Sequence, residues 1–275
     1  MNNPTNRSFA VVTGASSGIG YELAKQFAEN GFDVLIAAED GGIENAAREI
    51  GEGGAAVTTL QVDLAQYEGV EELCRAIEAT GRPVDAIAIN AGVGVGGDFA
   101  RTTALEDELN LIALNVTSSV HLAKRVVRQM VTRKQGRILF TASIAGTMPA
   151  PFEAVYGASK AFLLSFSEAL RNELKDTGVT VTALMPGATE TNFFHRAGMD
   201  DTKVGASEKD SAAEVARDGF KALMAGEDKV IAGSFKNKLE GGLGARILPE
   251  TVKAEIHRKM AEPGSAPKTK TAVGQ

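Results

Sequence analysis

Short apolar segments rich in β-branched residues alternate along this chain with longer segments in which apolar positions recur every three or four residues. Segments that are apolar along their whole length predict buried strands, and the longer recurrence predicts helices. The predicted strands are residues 8–13, 33–38, 56–62, 84–90, 137–141, 179–184 and 229–232. The predicted helices are residues 19–30, 43–50, 63–80, 105–133, 156–174 and 211–224.

The alternation of about seven apolar strands with helices predicts an α/β fold, because such strands need helices on both faces of their sheet. Right-handed crossovers then give a doubly wound parallel sheet of the Rossmann type. We expect residues 1–234 to form a single catalytic domain, since no convincing linker interrupts them. Met185-Pro186-Gly187 is expected to break the strand pattern, and residues 188–207 look irregular.

Residues 235–275 differ in character and are expected to form a basic, partly helical extension. Its basic side chains are Lys236, Lys238, Arg246, Lys253, Arg258 and Lys259. They could suit anionic lipid or a partner, but the favoured interpretation is a solvated helix face. The Pro/Gly/Ser/Lys/Thr-rich end of the extension predicts a disordered tail.

Composition narrows the classes of function. Hydrophobic residues make up 44% and charged residues 23% of the 275 positions, as in ordinary soluble proteins, and the net charge of −6 argues against a nucleic-acid binder. The one cysteine, Cys74, excludes an intrachain disulfide and is interpreted as a packing residue. The three histidines lie far apart, so no metal site is expected. Without a membrane span or a signal-peptide region, the expected location is the cytoplasm.

One stretch combines side chains suited to acid–base chemistry. Tyr156 and Lys160 stand at i and i+4 of a predicted helix, so both side chains project from one face. A tyrosine with a pKa of roughly 10 exchanges protons poorly at neutral pH, and a nearby ammonium lowers that pKa. Ser143 lies just before this helix and could hydrogen-bond a substrate oxygen. The three predict a proton relay for an alcohol or a carbonyl compound, although such a set also occurs by chance.

A glycine-rich turn between the first strand and the first helix predicts a site for a pyrophosphate, which the helix N-terminus would bind. The turn and the later motifs are Thr13-Gly14-x-x-x-Gly18-x-Gly20, Asn90-Ala91-Gly92, Asn115, Ser143, Tyr156-x-x-x-Lys160 and Pro186-Gly187-x-x-x-Thr191. In this order and spacing, residues 8 to about 232 resemble the short-chain dehydrogenase/reductase superfamily in its short single-domain branch. Two departures are Ile89, where the family usually has asparagine, and the extension after Phe235.

The resemblance implies an NAD(P)-dependent oxidoreductase that acts on CH–OH or C=O groups. It implies that Tyr156 is the general acid or base, and that Lys160 lowers its pKa and binds the nicotinamide ribose. Ser143 would orient the substrate oxygen, and Asn115 would hold a water that links Lys160 to solvent. The residues expected to bind the cofactor are Gly14, Ser16, Ser17, Gly18, Ile19, Gly20, Glu39, Asp63, Leu64, Asn90, Ala91, Gly92, Tyr156, Lys160, Pro186, Gly187, Thr189 and Thr191. Asn115 could instead be a mere polar helix residue.

The choice between NAD and NADP depends on the residues that follow the second strand. An acid roughly twenty residues past the glycine turn can bond both ribose hydroxyls of NAD and would repel a 2′-phosphate. The resemblance places the NAD-type acid at Ala38, but Glu39 and Asp40 come next. Two acids without a base favour NAD(H) over NADP(H). Arg48 or a loop residue that folded back would weaken this preference, and Asp63 could be a helix cap instead of an adenine contact.

The expected substrate wall is mostly apolar. It comprises Ser143, Ile144, Met148, Phe152, Tyr156 and residues 192–199, among them Phe193 and Phe194. The last segment is a candidate lid. This wall predicts a small-molecule alcohol or carbonyl substrate that is apolar or aromatic, although the same side chains could pack against the core. No arginine cluster indicates an anchor for a phosphate or a carboxylate.

Two other functions stay open. A nucleotide-sensing or scaffolding protein on the same fold would bind the cofactor without turnover. The other is an isomerase or an enoyl reductase. The resemblance implies that enoyl reductases space the tyrosine and lysine further apart, and that sugar epimerases have a different glycine spacing from this chain. The resemblance also implies a homotetramer or homodimer through the helices at 105–133 and 156–177. Polar side chains on the first of these, His121, Lys124 and Arg128, leave the oligomeric state open.

Overall fold

The computed structural model describes residues 7–233 and 248–267. Its centre is a seven-stranded, wholly parallel sheet with the strand order β3-β2-β1-β4-β5-β6-β7. The strands are β1 (Ser8–Thr13), β2 (Phe32–Ala38), β3 (Val57–Gln61), β4 (Ala86–Ile89), β5 (Gly136–Thr141), β6 (Val179–Pro186) and β7 (Lys229–Ala232). The structure confirms the predicted α/β, doubly wound fold, in which the strand order reverses beside β1.

Helices cover both faces of the sheet. They are α1 (Gly18–Glu29), α2 (Ile43–Gly51), α3 (Tyr67–Ala79), α4 (Leu105–Ile112), α5 (Ser118–Arg133), α6 (Ala154–Glu173), α7 (Phe193–Arg196), α8 (Ala212–Ala225) and α9 (Glu250–Ala261). On one face, α1 and α8 bury Phe27 and Phe220, whose rings pack edge to face at 5.2 Å. On the other face, α3 and α5 bury Leu73 and Met130. Because both faces are covered, the central strands carry no exposed polar side.

Four elements differ from the pattern-based expectation. The helix expected over residues 105–133 contains a π-helical turn, Ala113–Thr117, between α4 and α5. Strand β6 continues through Pro186, because a proline at the last position of a strand costs the ladder little. The segment expected to be irregular contains the short helix α7. Finally, α3 begins only at Tyr67, because the Asp63 carboxylate accepts the N–H of Ala65 at 2.8 Å and forms a turn first.

The C-terminal helix α9 packs against the sheet domain. The backbone N–H of Val204 donates to the carbonyl of Met260 at 2.9 Å. Asp201 accepts two more N–H groups from beyond α9, those of Gly264 and Ala266, each at 2.9 Å. The expected domain boundary near residue 234 and most of the expected tail lie outside the described residues. No helix in the described part of the chain is long and apolar enough to cross a membrane.

Candidate active site

The loops that follow β1, β4, β5 and β6 meet at one edge of the sheet, because parallel strands end at the same edge. A cavity of about 630 Å³ opens there, beside the point where the strand order reverses. Doubly wound folds bind ligands at this switch point. All eighteen residues expected to bind the cofactor line this cavity.

The glycine-rich turn after β1 needs its glycines for steric reasons. Gly14 and Gly18 have positive φ values of 66° and 59°, a region that side chains with a Cβ avoid. A Cβ on Gly20 would lie 2.1 Å from the carbonyl oxygen of Gly14 and 2.5 Å from the amide nitrogen of Asn90. The same Asn90 amide donates to the carbonyl of Thr13 at 3.0 Å, so the turns after β1 and β4 are joined.

The first turn of α1 is suited to an anion. Its N-cap, Ser17, makes no side-chain capping hydrogen bond, and the turn carries no acidic residue. Gly18, Ile19 and Gly20 line the cavity with this turn. The first N–H groups of a helix have no partner within it, and they carry a partial positive charge. The residues present therefore fit a dinucleotide pyrophosphate.

The residues of the predicted proton relay line the same cavity. Helix α6 presents Tyr156 and Lys160 on one face, and Ser143 follows β5. These three side chains are buried, with 8%, 4% and 8% of their surface exposed. The Lys160 ammonium donates to the carbonyl of Thr141 at 2.9 Å. The Ser143 hydroxyl accepts the N–H of Ala145 at 3.1 Å, which fixes its orientation. A group held this way can serve an acid–base step on a bound molecule.

The electrostatics of Tyr156 differ from the expectation. Burial raises the pKa of the Tyr156 phenol above its ordinary value, the Glu153 carboxylate raises it further, and a hydrogen bond with Ser143 lowers it. The net shift is upward, and Lys160 is not among the groups that change this pKa, so the expected lowering by Lys160 stays a prediction. Burial also lowers the pKa of the Lys160 ammonium to about 8. The ammonium lies 5.7 Å from the centroid of the Tyr156 ring.

Asn115 does not line the cavity but supports the loop that does. It lies fully buried in the π-helical turn. Its amide exchanges two hydrogen bonds of 2.9 Å with the backbone of Val93, and donates to the Ser159 hydroxyl at 3.1 Å. The π-helical turn widens the helix at this residue, a feature frequent at functional sites. Asn115 therefore ties the loop after β4 to helix α6, one residue before Lys160.

The end of the cavity beside β2 contains a charge pair that joins distant parts of the chain. Glu39, directly after β2, forms an ion pair with Arg196 at the end of α7. Both side chains are about half exposed, at 48% and 52%, and both line the cavity. Asp40 accepts a hydrogen bond of 2.7 Å from the Ser16 hydroxyl in the glycine-rich turn. A base thus does fold back beside the two acids, and it is Arg196.

Met148, Phe193 and Phe194 of the expected substrate wall line the cavity, and the Phe193 ring lies 5.1 Å from the Tyr156 ring between centroids. Phe152 does not line the cavity. Its ring packs in the cluster around Phe194, beneath the Arg258 guanidinium at 4.7 Å, which disfavours the expected substrate contact by Phe152. Substrate contact by the other residues stays a prediction.

Sequence reasoning missed the contribution of α9. Leu248, Lys253, Ile256, His257, Met260 and Ala261 line the same cavity. The Nε2 atom of His257 lies 3.0 Å from the Glu153 carboxylate, and both side chains are largely buried. The apolar residues at 248, 252, 256 and 260 recur every four positions, but Leu248, Val252 and Ile256 are 41%, 42% and 49% exposed, so this pattern alone would not have predicted a packed helix face. In the described ranges, no cluster of three or more His, Cys, Asp or Glu side chains could hold a metal ion.

A glycine turn at a helix N-terminus and a buried tyrosine and lysine, lining one cavity of a doubly wound sheet, are typical of a dinucleotide-binding oxidoreductase. Comparison with known proteins agrees with this class. Residues 8–202 match the family model for short chain dehydrogenases. The chain therefore belongs to the short-chain dehydrogenase/reductase family and is an NAD(P)-dependent oxidoreductase.

Three relatives illustrate the range of this similarity. The NADP-dependent 3-hydroxy acid dehydrogenase YdfG of Salmonella typhi is 34% identical over 206 residues, which cover 74% of this chain and 82% of that protein. A short-chain dehydrogenase from Sphingobium yanoikuyae in complex with NADPH has a TM-score of 0.76 at 33% identity, covering 82% of this chain and 87% of that one. The bulky-bulky ketone specific alcohol dehydrogenase from Comamonas testosteroni has a TM-score of 0.72 at 28% identity, covering 82% and 86%.

Proposed function

We propose that this oxidoreductase interconverts a secondary alcohol and a ketone, or an aldehyde, with Tyr156 as the general acid or base. The observation that carries the proposal is that buried Tyr156, Lys160 and Ser143 line the same cavity as the glycine-rich turn. A bound nicotinamide supplies or accepts the hydride. The protein's own task is to hold the substrate oxygen and to move one proton.

Each buried side chain has a distinct part in this proton transfer. For ketone reduction, the Tyr156 hydroxyl donates its proton to the substrate oxygen, and for alcohol oxidation the phenolate accepts it. Ser143 orients that oxygen by a hydrogen bond. The Lys160 charge stabilises the phenolate and holds the ribose of the nicotinamide. Asn115 fixes the loop and the helix between which a water relays the proton from Lys160 to solvent.

We propose that NAD(H) is preferred over NADP(H). Glu39 and Asp40 bring two carboxylates to the end of β2, where the adenosine ribose would lie, against the one guanidinium of Arg196. Glu39 already pairs with that guanidinium. Two relatives differ from this proposal. The Salmonella typhi relative is named as NADP-dependent, and the Sphingobium yanoikuyae structure is a complex with NADPH, so the two cofactors should be compared directly.

The chamber beside Tyr156 supports an apolar or aromatic substrate. Met148, Phe193, Phe194 and the α9 residues Ile256 and Met260 present hydrophobic surface to it. Binding pockets of this kind gain affinity from apolar contact and orientation from few polar groups. The relative from Comamonas testosteroni, named as specific for bulky ketones, supports the same substrate class.

Assembly and location are part of the proposal. Large apolar side chains of α4 and α6 are exposed, namely Leu105, Leu109, Ile112 and Phe162. They would be covered in a homodimer or homotetramer formed through these helices. The single cysteine, Cys74, is a buried free thiol, which supports a reducing compartment such as the cytoplasm.

The test is a fluorescence titration of the purified protein with NADH and with NADPH, followed by an assay of reduced-cofactor oxidation against a panel of aryl and alkyl ketones. We expect saturable binding of both cofactors, tighter for NADH, and turnover of at least one ketone class. Binding without turnover of any ketone or alcohol would favour a nucleotide-sensing protein. Failure of both cofactors to bind would contradict the proposal.

A further inference from the structure

Helix α9 contributes two ionisable side chains to the largely apolar chamber beside Tyr156, where the Glu153 carboxylate also lies. Lys253 and His257 stand one turn apart, so they share a face, and both line the cavity. The family-model match ends at residue 202, well before this helix. The polar groups of α9 are therefore features of this chain that the family motifs do not explain.

Lys253 is a buried cation without a buried counter-charge among its recorded contacts. The residue is 7% exposed, although the sequence pattern predicted a solvated basic face. Its ammonium contacts the Glu250 carboxylate at 2.7 Å, and that carboxylate is 65% exposed. Exposed ion pairs contribute little, whereas a buried ammonium is costly without an anion. The site would gain from an anion that binds inside the chamber.

The carboxylate nearest to Tyr156 does not oppose such an anion. Glu153 is 5% exposed and accepts a hydrogen bond from His257 at 3.0 Å, so its charge already faces an imidazole. Lys160 is engaged by the carbonyl of Thr141, and Arg196 by Glu39 at the far end of the cavity. Of the two buried lysines that line the cavity, Lys160 donates to a backbone carbonyl, whereas Lys253 pairs with an exposed carboxylate.

We propose that Lys253 binds a carboxylate of the substrate, and that the preferred substrate is an apolar or aromatic oxo-carboxylate or the corresponding hydroxy-carboxylate. This proposal rests on the proposed function and names the substrate class of the same site. When the substrate binds, Glu250 turns to solvent and the substrate carboxylate takes its place. One ammonium suits one carboxylate, because lysine acts as a compact point charge without the fork geometry that arginine offers.

The test compares aryl oxo-carboxylates of increasing chain length with their primary amides, assayed with NADH on the full chain. The wild-type protein should reduce at least one acid with a kcat/KM about ten-fold or more above that of its amide, the size expected for a charge-assisted contact. Lys253→Met should remove this preference by raising KM for the acid, with kcat and the amide kinetics little changed. Lys259→Met is the matched control, because Lys259 lies on the same helix, is exposed, and does not line the cavity.

Several outcomes would overturn the assignment. Equal kcat/KM for acid and amide in the wild-type protein would do so, and so would a Lys253→Met variant that alters both substrates alike. Turnover of neutral ketones without a preference for acids would leave the proposed function intact. A binding measurement that needs no turnover uses phenyl-substituted alkanoates and their amides with NADH-loaded protein. Equal affinities for the two would contradict the role of Lys253 even if no substrate were found.

Discussion

The chemistry of the site depends on how one residue, Tyr156, is surrounded. Tyr156 and Lys160 stand at i and i+4, and this spacing alone suggested a lowered pKa for the phenol. The structure adds the burial of the phenol and the nearby Glu153, both of which raise the pKa of Tyr156. A raised pKa keeps the phenol protonated at neutral pH, the form that the proposed ketone reduction would need.

Replacing Glu153 by glutamine should shift the pH profile of turnover. Alcohol oxidation needs the phenolate, so its rate rises with pH through the pKa of Tyr156. Because the Glu153 charge raises that pKa, Glu153→Gln should move the rising limb to lower pH, by on the order of one pH unit for a nearby charge in a partly shielded site. The amide oxygen can still accept the hydrogen bond from His257. The measurement is kcat/KM for alcohol oxidation across the alkaline range.

The control for this shift is Glu168→Gln. Glu168 lies on the Tyr156 helix α6, pairs with Lys229 and does not line the cavity, so its replacement should leave the profile unchanged. A rising limb that stays in place in Glu153→Gln, or moves to higher pH, would show that Glu153 does not act on Tyr156.

Contacts between residues close in sequence could be predicted, whereas contacts between residues that only the fold brings together could not. Tyr156 and Lys160 share one helix face, so their proximity follows from helix geometry. Arg196 meets Glu39 across 157 positions of chain, and His257 meets Glu153 across 104. No local pattern encodes such contacts, which depend on where α7 and α9 pack. Lys253 was misjudged for the same reason, since a basic helix looks solvated until its neighbours are known.

At the scale of elements, the segment that follows β6 connects both ends of the cavity. It brings Thr191 to the cavity wall, Phe193 against Tyr156, and Arg196 against Glu39. Contacts beside Tyr156 and beside the end of β2 thus belong to one short stretch. The closing of this segment over a bound cofactor would affect both binding steps together.

Substitutions at Arg196 and at Glu39 should change the ratio of NADH to NADPH affinity in opposite directions. Arg196→Gln removes the cation beside the two acids, so NADPH should bind about ten-fold weaker while NADH changes less. Glu39→Gln removes one acid and frees the guanidinium, so the preference should move towards NADPH. Fluorescence titration of each variant with both cofactors measures the ratio, and Arg217→Gln, an exposed arginine paired with Glu214, is the control. Shifts of the same sign in both variants would contradict this account.

Strands could be predicted from the sequence because both of their faces are buried. All seven strands were predicted because a strand covered on both faces is apolar throughout, and strand ends moved by only a few residues. The π-helical turn was not predictable, because its reason is tertiary. The buried Asn115 amide bonds to the backbone of Val93, and the local sequence shows no break at that point.

At the scale of the whole molecule, the helical layer that contains α4 and α6 leaves large apolar side chains exposed on its outer surface. In α4, Leu105, Leu109 and Ile112 are exposed at spacings of three and four residues, and Phe162 of α6 is also exposed. An apolar stripe of this kind on an outer helix is typical of an interface.

A charge within this stripe should weaken self-association. Leu109→Glu places a carboxylate where an apolar partner surface would lie, and desolvating it would be costly. We expect the wild-type protein to run as a dimer or tetramer and Leu109→Glu to run as a smaller species, measured by size-exclusion chromatography with light scattering. Lys221→Glu, on the exposed face of α8 in the other layer, should keep the wild-type mass. A monomeric wild-type protein would contradict the proposed assembly.

The account as a whole rests on Tyr156 as the acid–base group, and Tyr156→Phe tests it most directly. The change removes the hydroxyl and keeps the ring that packs against Phe193. We predict that turnover of the best ketone falls by about 10²–10⁴-fold, the usual contribution of general acid–base catalysis, while NADH affinity stays within a few-fold of wild type. Turnover that stayed close to the wild-type rate, with the cofactor still bound, would show that another group moves the proton and would contradict the central claim.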